Sequence, residues 1–319
     1  AFIFLLILAI IGIQINAVFI DKEAKSEIST YAALEPETID VLFLGTSKVV
    51  TGISPMTLWH EYGMASYDLA MGGQSIPINY YNLKAALETQ SPQLLVLDLG
   101  YAFQQNNLAG QPARFRQWLD HTSFSFVKVE AILDLIEKGD RVDYFVSLLY
   151  FHDRWKSLQQ SDFVDQENQY LNYGAAVANT ESEDLGNDFI PIDPNEKMDI
   201  SVYGTTITYI DKIIALCKEK GIEVLLLNVP SYPVGKTSHG DGETLQRMWN
   251  TFADYAEENG VDYLNCLYYL DEIGIDFSTD FHNWSHMNVH GQVKTSVFVG
   301  KYIEEHYDIP DKDRRFNLT

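Results

Sequence analysis

The stretch DFHNWSHMNVHG, residues 280–291, sets three histidines four apart: His282, His286 and His290. On a helix that spacing would stack them on one face. Asn288, however, is a good N-cap, and a helix starting there leaves His282 and His286 in the preceding loop and His290 in its first turn. A structural zinc site would want a fourth ligand, and no cysteine is near. His286 then suits a general base, with His282 at the rim and His290 solvated or packed. A counterpart lies far upstream in FLGTSK (43–48), where Ser47 follows Gly45-Thr46. A serine oxygen attacks a carbonyl once an imidazole takes its proton, and backbone N–H groups hold the oxyanion that develops. Lys48, beside Ser47, could lower a local pKa or attract an acidic acyl donor.

For these side chains to meet, the intervening chain must fold into layers. DVLFLG (40–45), ASYDLA (65–70), LLVLDLG (94–100), IEVLLLNVP (222–230) and VDYLNC (261–266) read as short buried strands. Helical patterns alternate with them. Ser54, Pro55 and Gly63 mark the start and stop of the first, with Ile53 and Leu58 as a hydrophobic staple. Residues 77–90 follow. Ile207, Ile210, Ile213, Ile214 and Cys217 form a stripe over 207–221. Leu245 to Ala256 make another helix, closed by Gly260. Residues 289–306 form the last, with Val293, Val297 and Ile303 inward. This alternation predicts an α/β fold, a parallel sheet covered on both faces. Ligands then bind beyond the carboxyl ends of the strands. Gly45-Thr46-Ser47, Gly72-Gly73-Gln74 and the histidine stretch all emerge at that edge.

Residues 101–200 read as an inserted helical cap followed by an acidic loop. Val129, Ile132, Leu133 and Ile136 define one amphipathic helix, and 142–155 another. From Asp162 to Asp199 there are ten acids and one lysine.

The 319 residues carry 45 acids against 22 bases, a net charge of −23, which repels nucleic acid and excludes that class of partner. Cys217 and Cys266 sit in apolar contexts with no metal-binding spacing, as buried thiols or a disulfide. AFIFLLILAIIGIQINAVFI (1–20) has only Gln14 and Asn16 as polar residues, which predicts a single-pass membrane anchor, with a cleaved signal peptide as the rival. On either reading the remainder works outside the cytoplasm. Residues 21–38 read as a tether, 39–306 as the α/β domain and 307–319 as a tail.

LFLGTSKVVTGISP and DFHNWSHMNVHGQ resemble the first and last motif blocks of SGNH/GDSL-type hydrolases. The closer likeness is to a membrane-anchored branch that includes the teichoic-acid D-alanine transfer and alginate O-acetylation proteins. It spans roughly 40–100 and 205–305. The resemblance implies a flavodoxin-like five-stranded sheet of order 2-1-3-4-5 with helices on both faces and a helical insertion between strands 3 and 4. It implies Ser47 as nucleophile, His286 as base, and the Ser47 and Gly73 amides as oxyanion donors. Two blocks depart from the pattern. The family's aspartate falls at Asn283, which can orient the imidazole but carries no charge; Asp280 is near enough in sequence to substitute. The family's GxND block is absent, and Gln74 or Asn79 could replace its asparagine. Trp284 is the aromatic expected near a substrate. No metal or organic cofactor is needed for such chemistry. The resemblance further implies O-acyl transfer or ester hydrolysis on a polysaccharide or other acylated polymer, with a multi-spanning membrane O-acyltransferase as partner. A non-catalytic accessory module and a plain esterase remain alternatives.

Overall fold

The structure, a computed structural model, describes residues 2–20, 27–103, 112–163, 173–176, 179–233, 236–237 and 240–312. The expected tether, insertion and tail lie partly outside these residues. Five strands form one parallel sheet: β1 (Val41–Leu44), β2 (Ser66–Asp68), β3 (Leu94–Asp98), β4 (Glu223–Asn228) and β5 (Asp262–Asn265). Their order is β2-β1-β3-β4-β5, the flavodoxin-like arrangement. Alternation along each strand splits the core in two. Leu42, Leu44, Leu95, Leu97 and Leu226 face one cluster, and Val41, Phe43, Leu94, Val96, Leu225 and Leu227 face the other.

Helices cover both faces. On the first lie α4 (Ile76–Ala86), α7 (Gly204–Lys220) and α8 (Gly242–Asn259); on the second lie α2 (Ser47–Gly52), α3 (Pro55–Tyr62) and α9 (Val289–His306). The caps follow sequence chemistry. Ser54 Oγ accepts from Thr57 N, and Gly63, Gly221 and Gly260 end their helices in the left-handed conformation. Ile53 and Leu58 are fully buried. Both cysteines are free and buried.

The last helix corrects the predicted stripe. Val293 is exposed, and the inward face is Gly291, Gln292, Thr295, Ser296, Val299, Gly300 and Ile303. Gly300 lets α9 approach α3 closely: a Cβ there would collide with the Tyr62 ring. Backbone approach, not apolar bulk, decides which face turns inward there.

Between β3 and β4 the insertion holds α5 (Pro112–Leu119) and α6 (Phe126–Leu135), then short helical turns through Lys156. The helix expected over 142–155 is broken at Val146 and ends as a 3-10 turn. On α6 the buried side chains are Val127, Ala131 and Ile132, while Leu133 is exposed.

The membrane anchor expected over residues 1–20 is overturned. Among the described residues no helix is long and apolar enough to cross a membrane. Helix α1 (Phe2–Phe19) has 18 residues. Its carboxyl end is clasped by the insertion: Arg154 Nη1 donates to the Phe19 and Ile20 carbonyls at 2.7 and 2.8 Å, and Arg154 Nη2 pairs with Asp162 at 2.7 Å. The single-pass membrane location expected from that anchor is corrected with it.

Candidate active site

The turn after β1 delivers Ser47. Thr46 is the N-cap of α2, so Ser47 is its first residue and is only half-buried, while β1 behind it is wholly buried. Gly45 is required by close approach: a Cβ there would lie 2.6 Å from Val49 Cγ2 and 2.9 Å from Asp98 Cβ. The chain after β5 delivers His286 on a bulged hairpin, β6 (Phe281–Asn283) with β7 (His286–Met287). Sequence reading placed these residues in a loop; two strands this short carry too little periodicity to be seen. Asn288 then caps α9 as predicted, accepting from His290 N and Gly291 N.

The two side chains meet across 239 positions: His286 Nε2 lies 2.7 Å from Ser47 Oγ. On the other side of the ring, His286 Nδ1 lies 3.0 Å from Asn283 Oδ1. That Oδ1 also accepts from the Ser285 and His286 backbone N–H groups, both at 3.1 Å, and from Ser285 Oγ at 3.2 Å. Two backbone donors fix this atom as the amide oxygen, because an NH₂ group cannot accept. Nδ1 must then carry the proton, which leaves the Nε2 lone pair facing the Ser47 hydroxyl. Burial first, then the Lys48 charge and His282, push the His286 pKa below the usual imidazole value. The ring is therefore neutral at pH 7, the state a general base requires.

The other predicted residues are placed as follows. Asp280 is buried and does not contact His286; its Oδ2 accepts from Asp276 N at 2.8 Å and pairs with Lys294 Nζ at 2.6 Å. Asn283, with Ser285 Oγ at 3.3 Å from the same His286 Nδ1, supports the base. Gly73 sits in a turn closed by Gln74 N to Met71 O at 3.1 Å, with φ +65, a conformation that favours glycine. Neither the Ser47 nor the Gly73 N–H has a partner among the described residues. Gln74 is buried and donates Nε2 to Met71 Sδ at 3.2 Å. Asn79 is fully buried, with neither amide atom partnered. Trp284 is partly buried against the core on the α9 side of the sheet. His282 and His290 are exposed, and Asn179 Nδ2 donates to His282 Nδ1 at 3.0 Å. Among the described residues no three His, Cys, Asp or Glu side chains converge to hold a metal.

A cavity of about 310 Å³ opens beside the pair, walled by Thr51, Ala176, Asn179, His282, Met287 and Gln292. A larger groove of about 610 Å³, with Ile39, Trp59 and Ser66 in its wall, opens near the amino ends of β1 and β2. It contains no nucleophile–base pair. The acidic loop contributes to the smaller cavity in a way no sequence signal marked. Its described residues dock on the hairpin, α9 and α2 through backbone bonds: Glu183 N to Phe281 O, Val289 N to Asn179 O and Ala176 N to Val50 O, at 2.8, 2.9 and 3.0 Å.

No protein-family model matches the sequence, and no curated protein matches it. Solved structures to which the chain is similar include a proposed acylhydrolase from Bacteroides fragilis, 12% identical over 86% of this chain and 93% of that one, with a TM-score of 0.43. A GDSL-like lipase from Bacteroides thetaiotaomicron is 13% identical over 87% of this chain and 95% of its own, with a TM-score of 0.42. A gut microbial diltiazem-metabolizing enzyme is 11% identical over 83% of this chain and 47% of its own, with a TM-score of 0.36. Identities this low leave residue roles to the geometry.

Proposed function

We propose that this chain is a serine-dependent acyl-ester hydrolase or transferase. One observation carries the reading: Ser47 Oγ, His286 Nε2, His286 Nδ1 and Asn283 Oδ1 form an unbroken hydrogen-bonded line, with links of 2.7 and 3.0 Å outside the ring. The Ser47 hydroxyl gives its proton to Nε2 as its oxygen attacks the ester carbonyl. The tetrahedral oxyanion faces the Ser47 and Gly73 N–H groups. Collapse expels the alcohol, which takes the proton from His286, and leaves an acyl-Ser47 ester. Water or an acceptor hydroxyl then gives a proton to His286 and attacks the acyl carbon, releasing Ser47 with its proton restored. Asn283 holds the tautomer and the aim of the ring. It adds no charge to stabilise the imidazolium, so the base is weaker than one backed by a carboxylate.

The finer reading is transfer to or from a polysaccharide or other acylated polymer, alongside a multi-spanning membrane O-acyltransferase. Its support is the likeness of the two quoted motif blocks. A second reading, an accessory module that keeps the shape without turnover, is favoured by the neutral Asn283. Labelling decides between them. A fluorophosphonate should phosphonylate Ser47 in the wild type and not in Ser47→Ala, whose unfolding midpoint should stay within a degree or two. A wild type that folds but takes no label refutes the catalytic reading and leaves the accessory one.

A further inference from the structure

The mechanism above leaves one buried charge unused. Lys48 follows the nucleophile, yet its side chain turns into the protein and is 3% exposed. Its Nζ donates to Ser231 Oγ at 3.0 Å and stands 4.7 Å from the Trp249 ring centre and 5.4 Å from that of Tyr101. Asp98, at the end of β3, lies on the same floor. A Cβ on Gly100 would fall 3.0 Å from Asp98 Oδ2 and 3.2 Å from Lys48 Nζ, so carboxylate and ammonium flank one point. Asp98 is otherwise held by Gly100 N at 3.1 Å and Val229 N at 3.3 Å. Burial pushes Lys48 down to about 8, against the pull of Asp98, and pushes Asp98 up to about 6.

A buried ammonium is expensive, and a buried hydrophobic residue of similar size would often be no less stable. This chain, with 22 bases to 45 acids, nevertheless buries one on the residue that follows its nucleophile. The reaction explains the use. Acylation creates a negative oxygen above Ser47, and the support at Asn283 is neutral. The side-chain amides expected to help are both buried, Gln74 donating to Met71 Sδ.

We infer that Lys48 is a positioning residue for the reaction proposed above, on which this inference rests: its fixed ammonium supplies, from under Ser47, the positive potential that the oxyanion otherwise meets only through backbone N–H groups. Burial makes such a charge effective, since salt screens it little. The same potential reaches His286, whose ring faces Ser47, Asn283, Ser285, His282 and Lys48 and no ionised carboxylate among the hydrogen-bonded groups described. Lys48 in turn faces Asp98, Tyr101, Ser231 and Trp249.

The test follows two readouts on the full chain, in wild type and in Lys48→Met. Imidazole NMR, with the His286 signal assigned by its loss in His286→Gln, reports the ring's titration without any turnover. Fluorophosphonate labelling between pH 4 and 10 reports Ser47. In the wild type His286 should titrate below 6.5, and the midpoint should hold between 50 and 500 mM KCl, ~10-fold in salt. In Lys48→Met it should move to higher pH, and the labelling plateau should fall about tenfold or more. A wild-type ring that titrates at or above 6.5 overturns the inference even if Lys48→Met does not fold. So does a variant whose ring and plateau are both unmoved, and in that case labelling of the wild type still upholds the hydrolase reading. The reverse result, a shifted ring but no labelling in any form, upholds the potential and removes the hydrolase reading.

Discussion

Exchanging Asn283 for aspartate adds the charge that the Ser47–His286 pair lacks, at an atom the structure already places. Asn283 Oδ1 has four donors around it, including His286 Nδ1 at 3.0 Å, and Nδ2 has no acceptor among the described residues. The substitution therefore breaks no described hydrogen bond. Two unit charges about 4 Å apart at an effective dielectric near 20 attract by about 4 kcal/mol. That corresponds to roughly three pKa units at 1.36 kcal/mol each. The ring is half-exposed, so a rise of about one to two units is the realistic expectation. The sign is clear. His286 is now held below its ordinary value by burial, Lys48 and His282. A carboxylate favours the protonated ring, so the acid limb of activity moves up. The imidazolium formed in the transition state is stabilised too, and above both limbs acylation should quicken about ten- to a hundredfold. The assay is hydrolysis of a p-nitrophenyl ester and phosphonylation of Ser47, each followed from pH 4 to 10. Asn283→Asp and Lys48→Met should both raise the acid limb, yet only the first should raise the plateau. A folded Asn283→Asp protein whose limb stays put, or whose plateau drops, refutes the assignment of Asn283 as the group behind the base.

Other substitutions separate support from chemistry. Asp280→Asn removes the charge that pairs with Lys294 and leaves one side-chain oxygen for the Asp276 N and Thr279 Oγ1 donors. It should cost about 1–3 kcal/mol in urea unfolding, discounted because Lys294 is partly exposed, while the rate per folded molecule holds; a selective loss of rate would return Asp280 to the catalytic line. Gly73→Ala meets both a positive φ and the Arg114 guanidinium, whose Cζ would lie 2.6 Å from the new Cβ. It should lower stability by about 1 kcal/mol and slow labelling through the displaced amide; unchanged labelling would remove Gly73 from the oxyanion site. Gly300→Ala pushes a methyl into the Tyr62 ring and should lower the unfolding free energy by about 1–3 kcal/mol, measured by thermal and urea melts.

Much of the architecture was legible because it rests on strong local patterns. The three central strands, β1, β3 and β4, are short apolar runs, which a parallel sheet buries on both faces. Ser54-Pro55 and the glycines at 63, 221 and 260 announce helix ends through backbone chemistry that tertiary contacts rarely override. Ser47 and His286 stood out because a glycine-led turn and a histidine cluster emerge at the same sheet edge. The failures have a common cause: contacts between distant segments. Nothing local tells that Gly300 and Ser296 will face α3 while Val293 faces outward. The seating of Ala176, Asn179 and Glu183 on α2, α9 and the hairpin depends on backbone bonds, which no side-chain type encodes. Residues 1–20 show the opposite limit. Their apolar run suggested a span, whereas no described helix is long and apolar enough to cross a membrane and Arg154 clasps the carboxyl end of this one. Lys48 drew notice for its neighbour alone, and its burial was visible only once α8 and β3 had closed around it.

The imidazole and its amide support share one seven-residue hairpin, whereas the hydroxyl belongs to a separate helix at the far end of the sequence. Warming should therefore loosen the two links unequally. The short-range link travels with its own turn, while the long-range link depends on every layer in between. Gentle heating or low urea should silence Ser47 reversibly while circular dichroism still reports native secondary structure, so that loss of labelling becomes the earliest sign of the fold relaxing.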